Sequence, residues 1–248
     1  MLLHLCTWFE VESYLKKSTG ILIPIGSTEQ HGPNGLIGTD AICPEFIGKK
    51  VGEEMDILVG PTISVGMAQH HLAFAGSIAL RPSTLMMVIQ DYIGSLRRHG
   101  FERFYFLNGH GGNIATTTAA FSEIYAESSY QRGSNAPPIR CLLRGWWEGE
   151  RTKKLASDLF GEKDGSHATA SEVSVTQYAY PEFIKKAEMQ WTGKAKRGFY
   201  DAEDYRRTFP DGRIGSDPSM ASPAHGKTIT EASVADVIDD YKKFMVQE

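Results

Sequence analysis

Paired cysteines, long apolar runs and an excess of positive charge are all lacking in this chain of 248 residues. Its three cysteines, Cys6, Cys43 and Cys141, are isolated, which excludes a Cys-x-x-Cys zinc ribbon or redox motif. No apolar run reaches the roughly 18 residues that a membrane-spanning helix needs, and residues 1–10 lack the basic start and the apolar length of a signal peptide. These absences predict a cytoplasmic protein without a membrane partner.

The charge balance argues against a nucleic-acid partner. The chain has 26 Lys and Arg against 30 Asp and Glu, a net charge of −4 with histidine neutral. Its densest cationic stretch, residues 194–197, is short, and we expect a solvated face or a subunit contact there. Two catalytic signatures are also missing: the Gly-x-Ser-x-Gly of serine hydrolases and the complete Gly-x-x-x-x-Gly-Lys-Ser/Thr of phosphate-binding loops.

The chain does contain an alternation of short apolar runs and amphipathic segments, the pattern of an α/β layer fold. The predicted strands are 21–25, 57–59, 104–107 and 139–143, and the predicted helices are 41–55, 84–98, 114–127, 232–246 and one that begins near residue 170. Ser83 is the predicted N-cap of helix 84–98, and Gly100 its stop. Segment 191–223 is rich in Gly, Pro and charge, so we expect a long loop buried in an oligomer contact.

Side chains typical of metal ligands follow the first predicted strand. Glu29 and His31 are two residues apart, and in an extended segment such side chains point to the same side. Asp40 lies at the start of the predicted helix 41–55, where a helix-capping acid is the alternative interpretation. Because ligands bind beyond the carboxyl ends of the strands in open α/β sheets, these three residues indicate a zinc- or manganese-type site.

Two later segments carry side chains of the same kind. His110 lies between glycines directly after strand 104–107, and glycine lets the backbone approach a ligand closely. A dinucleotide-binding loop is the weaker alternative, since Ile114 occupies the third glycine position of that motif. His167 and Glu172 are five residues apart, so a loop followed by a helix would turn both toward one crevice. A solvated loop histidine and a first-turn glutamate are the alternative there.

A charge count favours two metal ions over one. Two divalent cations bring four positive charges, whereas Glu29, Asp40 and Glu172 with a bridging hydroxide supply four negative charges. A balanced count is what a partly buried site needs, because uncompensated buried charge is costly. The pattern therefore predicts a metallohydrolase.

Several of these motifs together resemble the creatininase (creatinine amidohydrolase) family. The similar segments are Gly-Ser-Thr-Glu-Gln-His-Gly at 26–32 with Thr39-Asp40, Asn-Gly-His-Gly-Gly-Asn at 108–113, His-Ala-Thr-Ala-Ser-Glu-Val-Ser at 167–174 and Gly-Ser-Asp-Pro at 215–218. The resemblance covers residues 20–235. It implies one domain over residues 1–248, a three-layer α/β/α sandwich with a mostly parallel central sheet, and a homohexamer.

The resemblance also implies the chemistry. A binuclear Zn²⁺ and/or Mn²⁺ centre would hydrolyse a non-peptide C–N bond in a small cyclic or linear amide, using a metal-bound hydroxide. Glu29, His31, Asp40 and His110 match metal ligands, with Asp40 bridging, and His167 matches the catalytic histidine near the leaving nitrogen.

Two positions depart from the family pattern. Creatininases have a ligand glutamate two residues after the motif histidine, where this chain has Gly112, and we infer that Glu172 takes over that role beside its catalytic one. Lys163 stands where a tryptophan helps to enclose creatinine, so we expect creatinine to be a poor substrate. The other predicted substrate contacts are Trp146 or Trp147, one of His70 and His71, and Lys163 itself.

Three alternatives remain open from the sequence. A deformylase acting on a nucleotide-derived formamide would give Lys163 and Arg144 a phosphate to bind. A metal-dependent sugar isomerase could use a similar set of histidines and carboxylates. A non-catalytic binding module is the least favoured, because the motifs retain the residues that chemistry requires.

Overall fold

A computed structural model describes residues 1–130, 138–191, 193 and 198–246, and its centre is a parallel sheet. The strands are β1 (Gly20–Ile25), β2 (Arg103–Asn108) and β3 (Arg140–Gly145), with β2 in the middle. Ile25 pairs with Asn108, which pairs with Gly145, so the three carboxyl ends meet at one edge of the sheet. Three of the four predicted strands are thereby confirmed within one or two residues.

The fourth predicted strand, 57–59, is wrong in extent. Val59 forms only isolated parallel bridges, to Leu2 and Leu22, and Ile63 forms another to Ile25. The segment crosses the edge of β1 with single hydrogen bonds, such as Gly60 N to Leu22 O at 2.8 Å, instead of a continuous ladder. It still covers the open edge of β1, which an unpaired strand would otherwise expose.

Helices cover both faces of the sheet. They are α1 (Trp8–Leu15), α2 (Thr39–Met55), α3 (Pro82–Arg97), α4 (Asn113–Tyr130), α5 (Glu150–Phe160), α6 (Ala170–Ala179), α7 (Ala202–Thr208) and α8 (Pro223–Val246). Ser83 is not the N-cap of α3, because Arg81 holds that position and Pro82 begins the helix. The fixed φ of proline suits the first turn of a helix. Gly100 lies beyond the end of α3 with φ of 106°, as a helix stop requires.

Strand residues alternate between two cores. Ile21, Ile23 and Phe104 are among the strand residues that pack with α1, α3 and α4, whereas Leu22 and Tyr105 are among those that pack with α2, α5, α6 and α8. This alternation follows from the two-residue period of a strand. The three-layer α/β/α architecture predicted from the sequence is confirmed.

Segment 191–223 is more ordered than the predicted loop. Its described part contains α7, whose Tyr205 is fully buried and packs edge-on against His71 with ring centroids 4.6 Å apart. An aromatic anchor of this size brings the segment onto the candidate site.

The cationic stretch 194–197 lies outside the described residues. Within the described part of the chain, no helix is long and apolar enough to cross a membrane.

Candidate metal centre

Two glycines at strand ends determine where Asp40 lies. Gly26 follows β1 and Gly109 follows β2, and both backbones press against the carbonyl group of Asp40 in the first turn of α2. A Cβ atom at either glycine would overlap that carbonyl oxygen. Only glycine therefore lets the two strand ends enclose the start of α2, which brings Asp40 between Glu29 and His31 on one side and His110 on the other.

The carboxylate of Asp40 is shared between two histidines. Its Oδ1 lies 2.9 Å from Nε2 of His31, and its Oδ2 lies 2.8 Å from Nδ1 of His110. Oε2 of Glu29 is 3.4 Å from Nε2 of His110, and Oε1 of Glu172 is 3.8 Å from Nε2 of His31. Two three-residue groups able to hold a cation result, Glu29–Asp40–His110 and His31–Asp40–Glu172, and they have Asp40 in common.

The buried carboxylates lack hydrogen-bond donors. Both oxygens of Glu29 and Oδ2 of Asp40 are buried, and none accepts a well-aligned hydrogen bond from the described residues, although histidine nitrogens lie close to them. Leaving such oxygens without a partner is costly. A cation placed among them would satisfy the oxygens and the histidine lone pairs together, so the donor set fits zinc or manganese.

The pKa values describe how the site is held together without cations. Burial alone would lower the pKa of His31, but the Asp40 carboxylate outweighs it and raises this pKa to about 10. Burial also opposes protonation of His110, yet Glu29 and then Asp40 raise its pKa to about 9. Protons on these rings therefore take the place that cations would fill, and metal binding must release them.

Glu172 is directed toward the centre by the way α6 begins. Thr169 is the N-cap of α6, and Glu172 donates its backbone N–H to the Thr169 hydroxyl oxygen at 3.1 Å while its carboxylate accepts the Thr169 N–H. This capping box fixes the glutamate in the first helical turn. Burial, against the effect of His31, raises the pKa of Glu172 to about 7.

His167 lies on the loop before α6 with its two ring nitrogens in different surroundings. Nε2 is 2.9 Å from the backbone oxygen of Gln30, and Nδ1 is 3.7 Å from Oε1 of Glu29. Burial and then the neighbouring His31 lower the pKa of His167 well below its usual value, so the ring is neutral. With Nε2–H donated to the carbonyl, Nδ1 keeps an unprotonated lone pair toward the centre. His167 also forms a third candidate ligand group with Glu29 and His31.

A cavity of about 520 Å³ opens onto these residues. Asp40, His110, His167 and Glu172 line its floor. Its walls include the predicted substrate contacts Trp146, Trp147, His70 and His71, and also Lys153 and Asp164, which sequence reasoning did not single out.

The sequence model of the creatininase family, described as creatinine amidohydrolase, matches residues 4–240. The chain belongs to the creatininase family. This is a family of hydrolases, and the chain is accordingly an amidohydrolase-family enzyme.

The similar proteins span nearly the whole chain. A creatinine amidohydrolase of Pseudomonas putida is 26% identical over 245 residues, which cover 94% of this chain and 93% of the relative. A mycofactocin precursor peptide peptidase of Mycobacterium tuberculosis is 28% identical, with 93% of this chain and 87% of the relative covered. A solved structure described as manganese creatininase has a TM-score of 0.87 at 25% identity and covers 99% of both chains.

The two residues that depart from the creatininase pattern, Gly112 and Lys163, lie in different surroundings. A Cβ at Gly112 would overlap Nε2 of His110 and lie 2.7 Å from the Met67 carbonyl oxygen, so this backbone has no room for a glutamate there. Oε1 of Glu172 lies 3.8 Å from Nε2 of His31, and its role as the replacement ligand stays a prediction.

Lys163 does not line the cavity, which corrects the expectation that it contacts substrate. Its Nζ is 3.3 Å from Oδ2 of Asp217 and lies over the Trp191 ring at 5.6 Å. The turn after α5 points this side chain at the late Gly-Ser-Asp-Pro segment instead of the cavity. Arg144, the other expected phosphate contact, is ion-paired with Asp240 at 3.1 Å and is likewise absent from the lining.

Gln30 is a central residue that sequence reasoning missed. Its side-chain amide nitrogen donates to the Gly212 carbonyl oxygen and contacts Nδ1 of His71, both at 2.9 Å, and its Oε1 accepts the Gly32 N–H at 2.9 Å. Nε2 of His71 lies 3.1 Å from Oε1 of Glu29. In an extended segment a residue between two ligands points to the side opposite them. The spacing of Glu29 and His31 could therefore have predicted that Gln30 packs behind the ligands.

Proposed function

We propose that this enzyme hydrolyses the C–N bond of a small amide at a centre of two divalent metal ions. Glu29, Asp40 and His110 would hold one ion, and His31, Asp40 and Glu172 the other. The observation that carries the proposal is the division of the Asp40 carboxylate, whose two oxygens face two different histidines at 2.9 and 2.8 Å. Three carboxylates against two divalent cations leave one positive charge, which a hydroxide would neutralise.

Two bound cations would supply a nucleophilic water at neutral pH and polarise the amide carbonyl. The chain itself must then move protons. Neutral His167 presents its unprotonated Nδ1 on the cavity floor, while Nε2 is anchored by the Gln30 carbonyl oxygen. We infer that this Nδ1 takes the proton of the attacking water and delivers it to the leaving nitrogen. Trp146 and Trp147 would hold the flat face of the amide.

Creatinine belongs in the substrate panel after all. Lys163 replaces an enclosing tryptophan of the family pattern, but it lies outside the cavity and is paired with Asp217, so it does not disfavour creatinine. A peptide bond also belongs in the panel, since one similar protein is described as a peptide peptidase. The proposal is therefore an amidohydrolase of the creatininase family, with its substrate to be identified among small amides.

Metal analysis followed by a substrate panel tests the proposal. The purified chain, loaded with zinc or manganese, should hold two ions and hydrolyse at least one member of a panel of creatinine, cyclic amides, ureides, formamides and short peptides. His167→Asn should retain both ions but lower kcat by about 10²- to 10⁴-fold. One ion at saturation, or hydrolysis that survives removal of the metal, would contradict the two-metal mechanism.

The deformylase and the sugar isomerase, the two alternative enzymes predicted from the sequence, are no longer equally supported. A formamide deformylase fits the same centre, but Lys163 and Arg144, its expected phosphate contacts, are engaged elsewhere. The sugar isomerase is not carried forward, because the family is one of hydrolases. A homohexamer and a single domain over residues 1–248 stay predictions.

A further inference from the structure

Lys153 is the one lysine or arginine among the described residues that line the cavity beside the candidate metal centre. It lies near the start of α5, and Ala156 and Ser157 of the same helix also line the cavity. Residues three and four apart share a helix face, so this face of α5 forms one wall of the cavity. Thr152 of α5 also lines the cavity, but its hydroxyl group donates to Asp236 at 2.9 Å, so the other three residues give the wall a cation, a methyl group and a hydroxyl group.

The ammonium group of Lys153 has no ion pair or hydrogen-bond partner within the described part of the chain. The other two cations of α5 are engaged in ion pairs. Arg151 pairs with Asp236 at 2.9 Å and with Asp239 at 2.8 Å, and Lys154 pairs with Asp158 at 2.6 Å. Among the three cations of α5, Lys153 is therefore the one without an ion-pair partner within the described part of the chain.

The other charges that line the cavity are already committed. Asp164 accepts hydrogen bonds from the N–H of Ser171 at 2.8 Å and from its hydroxyl group at 3.0 Å. Asp40 and Glu172 belong to the proposed metal ligands. Since the proposed two-metal centre is neutral with its hydroxide and Asp164 is held by neutral donors, Lys153 and Asp164 are the one lysine or arginine and the one remaining carboxylate among the described residues of the lining. Lys153 is therefore the group on the wall that attracts an anion.

We propose that Lys153 binds a carboxylate of the substrate, so that the enzyme prefers acidic amides to their neutral counterparts. This inference rests on the proposed amidohydrolase function and specifies its substrate class. A carboxylate fits better than a phosphate, because a phosphate is usually held by several donors, such as an arginine fork or a nest of backbone N–H groups. Here one ammonium group and the hydroxyl group of Ser157 stand on the wall.

Chelating inhibitors test the inference without knowledge of the natural substrate. A hydroxamate group binds zinc, and its tail reaches the walls of the cavity. We would measure by calorimetry the Kd of malonic, succinic and glutaric acid monohydroxamates for the zinc-loaded chain, each against the matching neutral amide-tailed hydroxamate. For the best-fitting length, the acid should bind about fivefold more tightly than its amide, the size expected of an exposed ion pair.

Neighbouring variants show whether Lys153 is responsible. Lys153→Gln should reduce the ratio of the two Kd values to about one, and Lys153→Arg should keep it. Lys154→Gln is the matched control, because it removes the same charge from the next residue, which does not line the cavity. Salt should weaken the preference of the wild type, since exposed charges are screened.

The results separate this inference from the function on which it rests. Equal binding of acids and amides by the wild type, or a preference that survives in Lys153→Gln, would overturn the role of Lys153 and leave the metal centre intact. Failure of every hydroxamate to bind the zinc-loaded chain would instead count against the metal centre, and the inference would fall with it.

Discussion

At the scale of single residues, the candidate metal centre depends on which carboxylate oxygen lies beside which histidine ring. Asp40 is buried at the start of α2, and each of its oxygens lies within 3 Å of a different histidine. Glu29 and Glu172 each lie beside only one of these two rings at ion-pair distance, His110 and His31 respectively. The three carboxylates are therefore not equivalent, and their removal should have different consequences.

Asp40→Asn should abolish binding of both metal ions. An amide offers one neutral oxygen in place of a bridging carboxylate, so both halves of the centre lose charge and geometry. Elemental analysis after dialysis against zinc or manganese would measure the loss, and circular dichroism would establish that the fold persists. Two ions retained by Asp40→Asn would refute the bridging role.

Glu172→Gln should weaken one ion while leaving the fold unchanged. Glutamine can still complete the capping box with Thr169, so α6 should begin as before. The loss of a charged ligand should lower the affinity for the ion beside His31 by about tenfold or more, as titration with a competing chelator would measure. Thr169→Ser, which retains the cap and the carboxylate, is the control. An unchanged second affinity in Glu172→Gln would remove Glu172 from the ligand set.

At the scale of elements, the centre is assembled by the meeting of two strand ends with the start of a helix. The carboxyl ends of β1 and β2 coincide in register, and α2 begins against both of them. The side chains converge because the backbones do. A change in backbone packing should therefore reduce metal binding even when every ligand side chain is retained.

Gly109→Ala should destabilise the protein and reduce its metal content. The added methyl group would overlap the Asp40 carbonyl oxygen, and overpacking of this kind costs about 1–3 kcal/mol. Gly111→Ala is the matched control, because a Cβ there meets no atom within 4 Å, and its effect should stay within about 0.5 kcal/mol. Urea unfolding and elemental analysis of both variants would measure the difference. Equal stability and equal metal content would show that α2 adapts.

At the scale of the whole molecule, stability should depend on pH in opposite ways with and without metal. In the metal-free protein, the pKa values of His31 and His110 are raised to about 10 and about 9. Their stabilising contribution is fully present below the unfolded pKa of about 6.5 and is lost as pH rises through the folded values. The pKa of Glu172 is also raised, to about 7, so its protonated form adds stability at low pH that is lost as pH rises through 7.

Metal binding reverses this trend, because the ligands must be deprotonated. The difference in Tm between the zinc-loaded and the chelator-treated protein should therefore grow as pH rises from about 6 to about 8.5. Differential scanning calorimetry at several pH values would measure it, and Asp40→Asn should show no difference at any pH. A difference that shrinks with rising pH would mean that protons and metals do not compete for these side chains.

Local pattern alone determined much of this protein. Apolar runs located the three strands, and the position of polar side chains just after two of them gathered Glu29, His31, Asp40 and His110 at one edge of the sheet. The segment 167–174 brings His167 and Glu172 to the same place. These side chains converge because strand ends in a parallel sheet share an edge, so position along the chain becomes position in space.

Tertiary packing decided which charges face the cavity. Lys163 and Lys153 are both lysines at or near the ends of α5, yet one pairs with Asp217, 54 residues away in the chain, and the other lines the cavity. Gln30 likewise contacts Gly212 across 182 residues. No local pattern specifies such partners, because the direction and partner of a polar side chain depend on which distant segment packs against it.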